Sequence, residues 1–122
     1  MTLKVYGIKN CSTMKKTFDF LAEEGVDYEF IDYKKAAPSE DLLREFIGKT
    51  GLDAVINKKG MTYRKLDAAA KAAVEDDLGA LKVLTEKSSM IKRPIIAYPD
   101  GSITLGFDPE TIKARMAEQS EA

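Results

Sequence analysis

The sequence predicts an α/β domain: a strand-helix-strand unit, then a helical stretch, then a β-hairpin with a closing helix. Three observations carry this expectation. Short strand-like runs at Leu3–Ile8 and Asp27–Tyr33 flank a segment with helical periodicity. The middle of the chain, about residues 36–90, holds mainly helical patterns. A Pro99-Asp100-Gly101 turn then separates two further apolar runs. With 122 residues, 44% of them hydrophobic, the chain is expected to fold as one domain over residues 1–122 without disulfides or a structural metal.

Leu3 and Val5 share one side of the first strand, which ends at Gly7 and Ile8. From Ser12, the positions Met14, Phe18, Leu21 and Ala22 recur at i, i+4, i+7 and i+8, the stripe of an amphipathic helix ended by Gly25. In the second strand Tyr28, Phe30 and Asp32 alternate against Glu29, Ile31 and Tyr33. The helical crossover makes these strands parallel.

Ser39 is an N-cap ahead of Glu40 and Asp41, with Leu42, Leu43, Phe46 and Ile47 on one face and a stop at Thr50-Gly51. After the apolar patch Leu52–Ile56 and the break Lys58-Lys59-Gly60, no regular element is predicted before residue 66. Ala68–Glu75 reads as helix, and Leu81 and Leu84 mark another that ends near Ser88-Ser89. Pro94–Tyr98 and Ser102–Leu105 form the hairpin. Asp108-Pro109-Glu110 opens a last helix through Ile112 and Met116, and Glu118–Ala122 reads as a frayed tail. A parallel unit joined to an antiparallel hairpin and helix is the thioredoxin-like arrangement, here with a helical insertion. A ferredoxin-like sheet accepts the same elements.

Composition removes whole function classes. The chain contains no His, so a Ser-His-Asp triad, a His-based zinc site and imidazole acid-base chemistry are excluded within it. Cys11 is the single cysteine, so neither an internal disulfide nor a multi-thiolate metal site exists. Net charge is −1 and no Lys/Arg block exceeds two residues, which argues against direct nucleic-acid binding driven by phosphate neutralisation. No run approaches the length that spans a membrane, and the N-terminal residues lack the apolar core of a secretory signal. A cytoplasmic location is expected, where a lone thiol stays reduced.

The chemistry concentrates at Cys11. Between a strand and a helix, its sulfur meets the unpaired N–H groups of the first helical turn, which favour a thiolate. Lys9, Lys15 and Lys16 add positive charge in the neighbouring sequence. The alternative is a small buried core residue. Arg93, in the apolar stretch Met90–Ile96, either extends its head group to solvent or aims a charge at a site. Pro94 is ordinary at the first residue of a strand.

The segments Tyr6-Gly7-Ile8-Lys9-Asn10-Cys11-Ser12-Thr13-Met14, Thr62-Tyr63-Arg64-Lys65-Leu66, Ile91-Lys92-Arg93-Pro94 and Gly106-Phe107, in that order, resemble the ArsC-like family. Within it they are most similar to the small YffB-like proteins, relatives of the Spx transcriptional regulators. The resemblance implies a thioredoxin-type fold with a helical insertion, a nucleophilic cysteine at Cys11, a cis-proline at Pro94 and a ligand-facing arginine at Arg93. It implies that Lys9 and Arg93 bind the carboxylates of glutathione, that the backbone beside Pro94 pairs with its peptide, and that Asn10 and Thr13 shape the pocket.

Departures from the family pattern narrow the function. Arsenate reductases of this family hold the oxyanion with three arginines, and the other two positions fall here on Asn57 and Gly106. Regulators that switch through a Cys-x-x-Cys disulfide have their second cysteine where this chain has Met14. The expectation is a glutathione-dependent monothiol oxidoreductase, with glutathione as the external thiol and no metal. A binding module that docks on RNA polymerase is the alternative, and arsenate reduction stands third.

Overall fold

The computed structural model describes residues 1–119. In chain order the elements are β1 (Thr2–Gly7), α1 (Ser12–Glu23), β2 (Asp27–Asp32), α2 (Glu40–Thr50), α3 (Leu52–Val55), α4 (Met61–Arg64), α5 (Ala68–Ala73), α6 (Asp77–Glu86), β3 (Ile95–Ala97), β4 (Ile103–Leu105) and α7 (Pro109–Gln119). The chain divides into two compact units. One comprises Met1–Asp32 together with the chain from Arg93 onward, and the other is Tyr33–Lys92.

The first unit is built on a four-stranded sheet in the order β2-β1-β3-β4. β1 and β2 are parallel, with Thr2 opposite Asp27 and Gly7 opposite Asp32. β3 runs antiparallel to both β1 and β4. This order, with the parallel pair on one side and the hairpin on the other, is thioredoxin-like and disposes of the ferredoxin-like alternative.

Leu3 and Val5 of β1, Ile96 of β3, Met14 and Leu21 of α1 and Ile112 of α7 are fully buried in one cluster. Removing each such side chain from water is worth about 1.5–3 kcal/mol. Gly7 leaves room for this packing, since a Cβ there would lie 2.6 Å from both Sδ and Cε of Met14 and would push the end of that side chain aside. Met14 thus lies against the end of β1, three residues after Cys11.

The hairpin turn is fastened by Asp100, whose Oδ1 accepts from the N–H and the hydroxyl of Ser102 at 2.9 and 2.6 Å. Those bonds, with Gln119, pull the Asp100 carboxyl down to about 2. Gln119 accepts from the Asp100 N–H at 2.9 Å and donates to the Arg115 carbonyl at 3.1 Å, so Glu118 and Gln119 belong to α7 and are not frayed. The rest of the expected tail, residues 120–122, lies outside the described residues.

In the second unit Ser39 caps α2 as its sequence predicts, accepting from the Leu42 N–H at 3.1 Å. Asp67 and Asp76 cap α5 and α6 in the same way, each at 2.8 Å. The Leu52–Ile56 patch becomes the single turn α3 followed by an antiparallel bridge between Ile56 and Ile91. Hydrogen bonds of 2.7 Å from Asn57 to the Met90 carbonyl and from Lys92 to the Val55 carbonyl flank that bridge.

One expectation fails here: α4 forms where no regular element is predicted. Its single turn is too short to display a period and cannot stand alone. A 2.8 Å bond between the hydroxyls of Thr62 and Ser89 ties it to a 3-10 turn at Ser88–Met90.

Candidate functional site at Cys11

The turn after β1 brings the chain to Cys11, which is the N-cap of α1 with extended backbone angles, φ −147° and ψ 131°. Its carbonyl accepts the first helical bond, from Lys15 at 3.0 Å, and its N–H donates to the Lys9 carbonyl at 3.2 Å. In this pose the side chain takes the place that a capping oxygen occupies elsewhere. The thiol is half-buried and packs at the margin of the core cluster.

Burial alone raises the Cys11 thiol. A hydrogen bond from Arg93, the backbone N–H groups of Met14 and Thr13, and the Arg93 charge together outweigh it, and the net direction is downward from the ordinary thiol value. The sequence assigns part of this effect to Lys9, Lys15 and Lys16. All three are exposed, and the leading contributions come instead from Arg93 and the helix backbone. Water screens charges held at such exposed positions.

Arg93 arrives from the segment that precedes β3, joined by a cis peptide bond to Pro94. Arg93 is half-buried, and its hydrogen bond reaches the Cys11 thiol. Pro94 is buried, and its carbonyl accepts from the Gly106 N–H at 2.8 Å. Gly106 has φ +82°, a conformation that favours glycine over arginine. Asn57, the other position where the arsenate-binding pattern has arginine, belongs to the second unit, where it closes the turn to Gly60.

A groove of about 460 Å³ opens beside the sulfur, within the size range of small-molecule sites. Lys9 and Asn10 line it on the loop side of Cys11, and Ser12 lines it at the start of α1. Lys15, Phe18 and Asp19 line it along α1. Of the residues singled out from the sequence, Lys9, Asn10 and Cys11 therefore meet in one concavity, and Arg93 joins them at the sulfur. Thr13 contributes its backbone N–H and is not among the lining residues.

Ser12, Phe18 and Asp19 escape a reading that assigns Phe18 to the core and Asp19 to a solvated face. The signal for them is the spacing, since Lys15, Phe18 and Asp19 stand at i+4, i+7 and i+8 from Cys11. Among the described residues no cluster of three His, Cys, Asp or Glu is placed to hold a metal ion, and no helix is long and apolar enough to cross a membrane.

The chain is 36% identical to an uncharacterized protein from Haemophilus influenzae over 94% of its own length and 99% of that protein's. The solved structure of a YffB protein matches it with TM-score 0.86 and 39% identity, covering 92% of this chain and 96% of that one. An arsenate reductase (ArsC) related protein from Brucella melitensis matches with TM-score 0.74 and 37% identity, covering 93% of each chain. The ArsC family model matches residues 6–115. On a thioredoxin-like fold, with this cysteine at the head of α1 and this arginine beside its cis-proline, the chain belongs to the ArsC family.

Proposed function

We propose that the protein is a glutathione-dependent thiol oxidoreductase that works through Cys11 alone. The observation that carries the reading is a half-buried thiol lowered below its ordinary value by the Arg93 hydrogen bond, in a chain with no second cysteine. The Cys11 thiolate attacks one sulfur of a disulfide substrate. A Cys11–substrate disulfide forms, and the other sulfur departs as a thiolate. Glutathione thiolate then attacks the substrate sulfur of that mixed disulfide, which frees Cys11 as thiolate and carries the substrate off as its glutathione disulfide. Attack at the Cys11 sulfur instead leaves glutathione on the enzyme and a reduced substrate, and a further glutathione restores the thiolate with release of oxidised glutathione.

In this reading Cys11 is the nucleophile. Arg93 holds the thiolate and, with Lys9, receives the carboxylates of glutathione. The backbone beside Pro94 pairs with the peptide of glutathione, and Asn10 and the first helical turn at Thr13 border the reacting sulfurs. A reducing compartment such as the cytoplasm supplies the thiol that the cycle consumes. No metal takes part. Arsenate reduction is less well supported, because Gly106 stands where a second oxyanion-binding arginine is needed.

The test is intact mass after incubation with oxidised glutathione. One tripeptide adduct, reversed by reduced glutathione and missing in Cys11→Ser, is the expected result. A thiol that takes no adduct, in a protein that instead retains RNA polymerase in a pull-down, would replace the catalytic reading with an Spx-like regulatory one.

A further inference from the structure

The groove beside Cys11 carries more chemistry than a thiolate requires. Near the sulfur it offers the exposed ammonium of Lys9. Along α1 it has an apolar floor in Phe18, whose ring is fixed by stacking on Tyr28 at 5.4 Å and by an edge contact with Phe30 at 5.0 Å. At its far end stand a cation and an anion side by side, with Lys15 Nζ 3.1 Å from Asp19 Oδ2. Both side chains are largely exposed, 79% and 64%, so each keeps room for a second partner, and Asp19 Oδ1 is a further acceptor.

A ligand that complements adjacent positive and negative groups carries an ammonium and a carboxylate on one carbon, as a free amino acid or a γ-linked glutamyl residue does and an ordinary peptide terminus does not. Distance sets its length. Asp19 lies eight positions after Cys11, about 12 Å along the helix axis, and helical side chains lean back towards the N-terminus, which shortens the span. A single amino acid bearing a thiol is too short to bridge it. A γ-glutamyl-cysteine unit, extended to about 9 Å from its sulfur to its free α-carbon, reaches.

We infer that the groove along α1 recognises the zwitterionic amino-acid end of a tripeptide-length thiol, with Asp19 receiving its ammonium and Lys15 its carboxylate, so that Lys9 and Arg93 receive only the carboxylate at the opposite end. This rests on disulfide exchange at Cys11 as proposed above. It adds the feature by which the protein selects its thiol, and it assigns Asp19 and Lys15 as specificity residues. In the step that reports it, Cys11 thiolate bonds to one sulfur of a symmetrical disulfide while the other half leaves as thiolate.

The experiment measures the rate of Cys11 adduct formation by intact mass with three disulfides: oxidised glutathione, its doubly N-acetylated form, and cystine. The wild-type protein should react about fivefold faster with oxidised glutathione than with the acetylated form, the scale of one exposed charge pair. Cystine should be slow as well. In Asp19→Asn the ratio between the two tripeptide disulfides should fall to about 1. Equal rates in the wild type, or a preference that survives Asp19→Asn, overturn the inference and leave exchange at Cys11 standing. Absence of an adduct with every disulfide overturns both.

Discussion

Both units of this chain bury apolar side chains completely, Leu3 and Ile96 in one and Leu43 and Leu84 in the other, and they differ in what gathers around a polar atom. In the sheet unit, fully buried side chains from four elements interlock around β1, and residues far apart in sequence converge on Cys11. In the helical unit much of the polar bonding is local. Lys49 pairs with Glu45, Arg44 with Glu40 and Lys58 with Asp53, and three helices take their caps from the residue immediately before them. The difference teaches where the chemistry belongs. A lowered thiol needs groups that long-range packing brings together, and the sheet unit supplies them.

The largest test of that division is Cys11→Ser, which should abolish adduct formation with oxidised glutathione altogether while leaving the thermal unfolding transition in place. Next, Arg93→Met removes the leading group that lowers the thiol. The pH midpoint for alkylation of Cys11 by iodoacetamide should move up towards that of free cysteine, and the rate at neutral pH should fall. A midpoint that stays put would transfer the effect to the helix backbone. The sign also reaches stability. Because the folded thiol ionises below its unfolded value, its contribution is complete above the ordinary thiol pKa and disappears as pH falls through the lowered one. Relative to Cys11→Ser, the wild type should therefore gain stability as pH rises through that window.

Two glycine variants separate the units by a smaller effect. A Cβ at Gly79, in α6, would collide with the backbone carbonyl oxygen of Ala73, which has little freedom to move. Gly79→Ala should cost about 1–3 kcal/mol by urea unfolding and leave the alkylation midpoint of Cys11 unchanged. Gly7→Ala meets only the flexible end of Met14 and should cost about 1 kcal/mol. It should nevertheless disturb Cys11 alkylation more than Gly79→Ala does, because the Met14 N–H serves the sulfur. Equal effects on alkylation would erase the distinction between the units.

The sheet unit was largely legible in the sequence. β1, α1 and β2 fall within two residues of their expected limits, because alternation and helical period are visible in segments this long. The hairpin followed from Pro99-Asp100-Gly101, and the last helix from Asp108, whose carboxylate accepts from the Thr111 hydroxyl at 2.9 Å. In the helical unit Ser39 announced α2, but α3 and α4 are single turns without a period, and α4 forms through a bond to Ser89, 27 residues away. At the site, Cys11 stands out by its chain position between a strand and a helix, and Arg93 only through the resemblance. Phe18 and Asp19 do not stand out, because an aromatic on an amphipathic helix fits a core and an acid fits a solvated face equally well. Their spacing from Cys11 puts them on its flank of the helix, and the fold adds that this flank is an open groove.

Met14 lies buried against Gly7 at the position where a partner thiol stands in two-cysteine relatives of this architecture. A mutational path to an internal redox pair therefore begins with a loss. Met14→Cys by itself leaves an unfilled space above the glycine, and Gly7→Ala by itself crowds the methionine. Together the two exchanges offset each other in part, because the added Cβ enters space that the methionine leaves, so the order in which they arise sets how large the intermediate loss is.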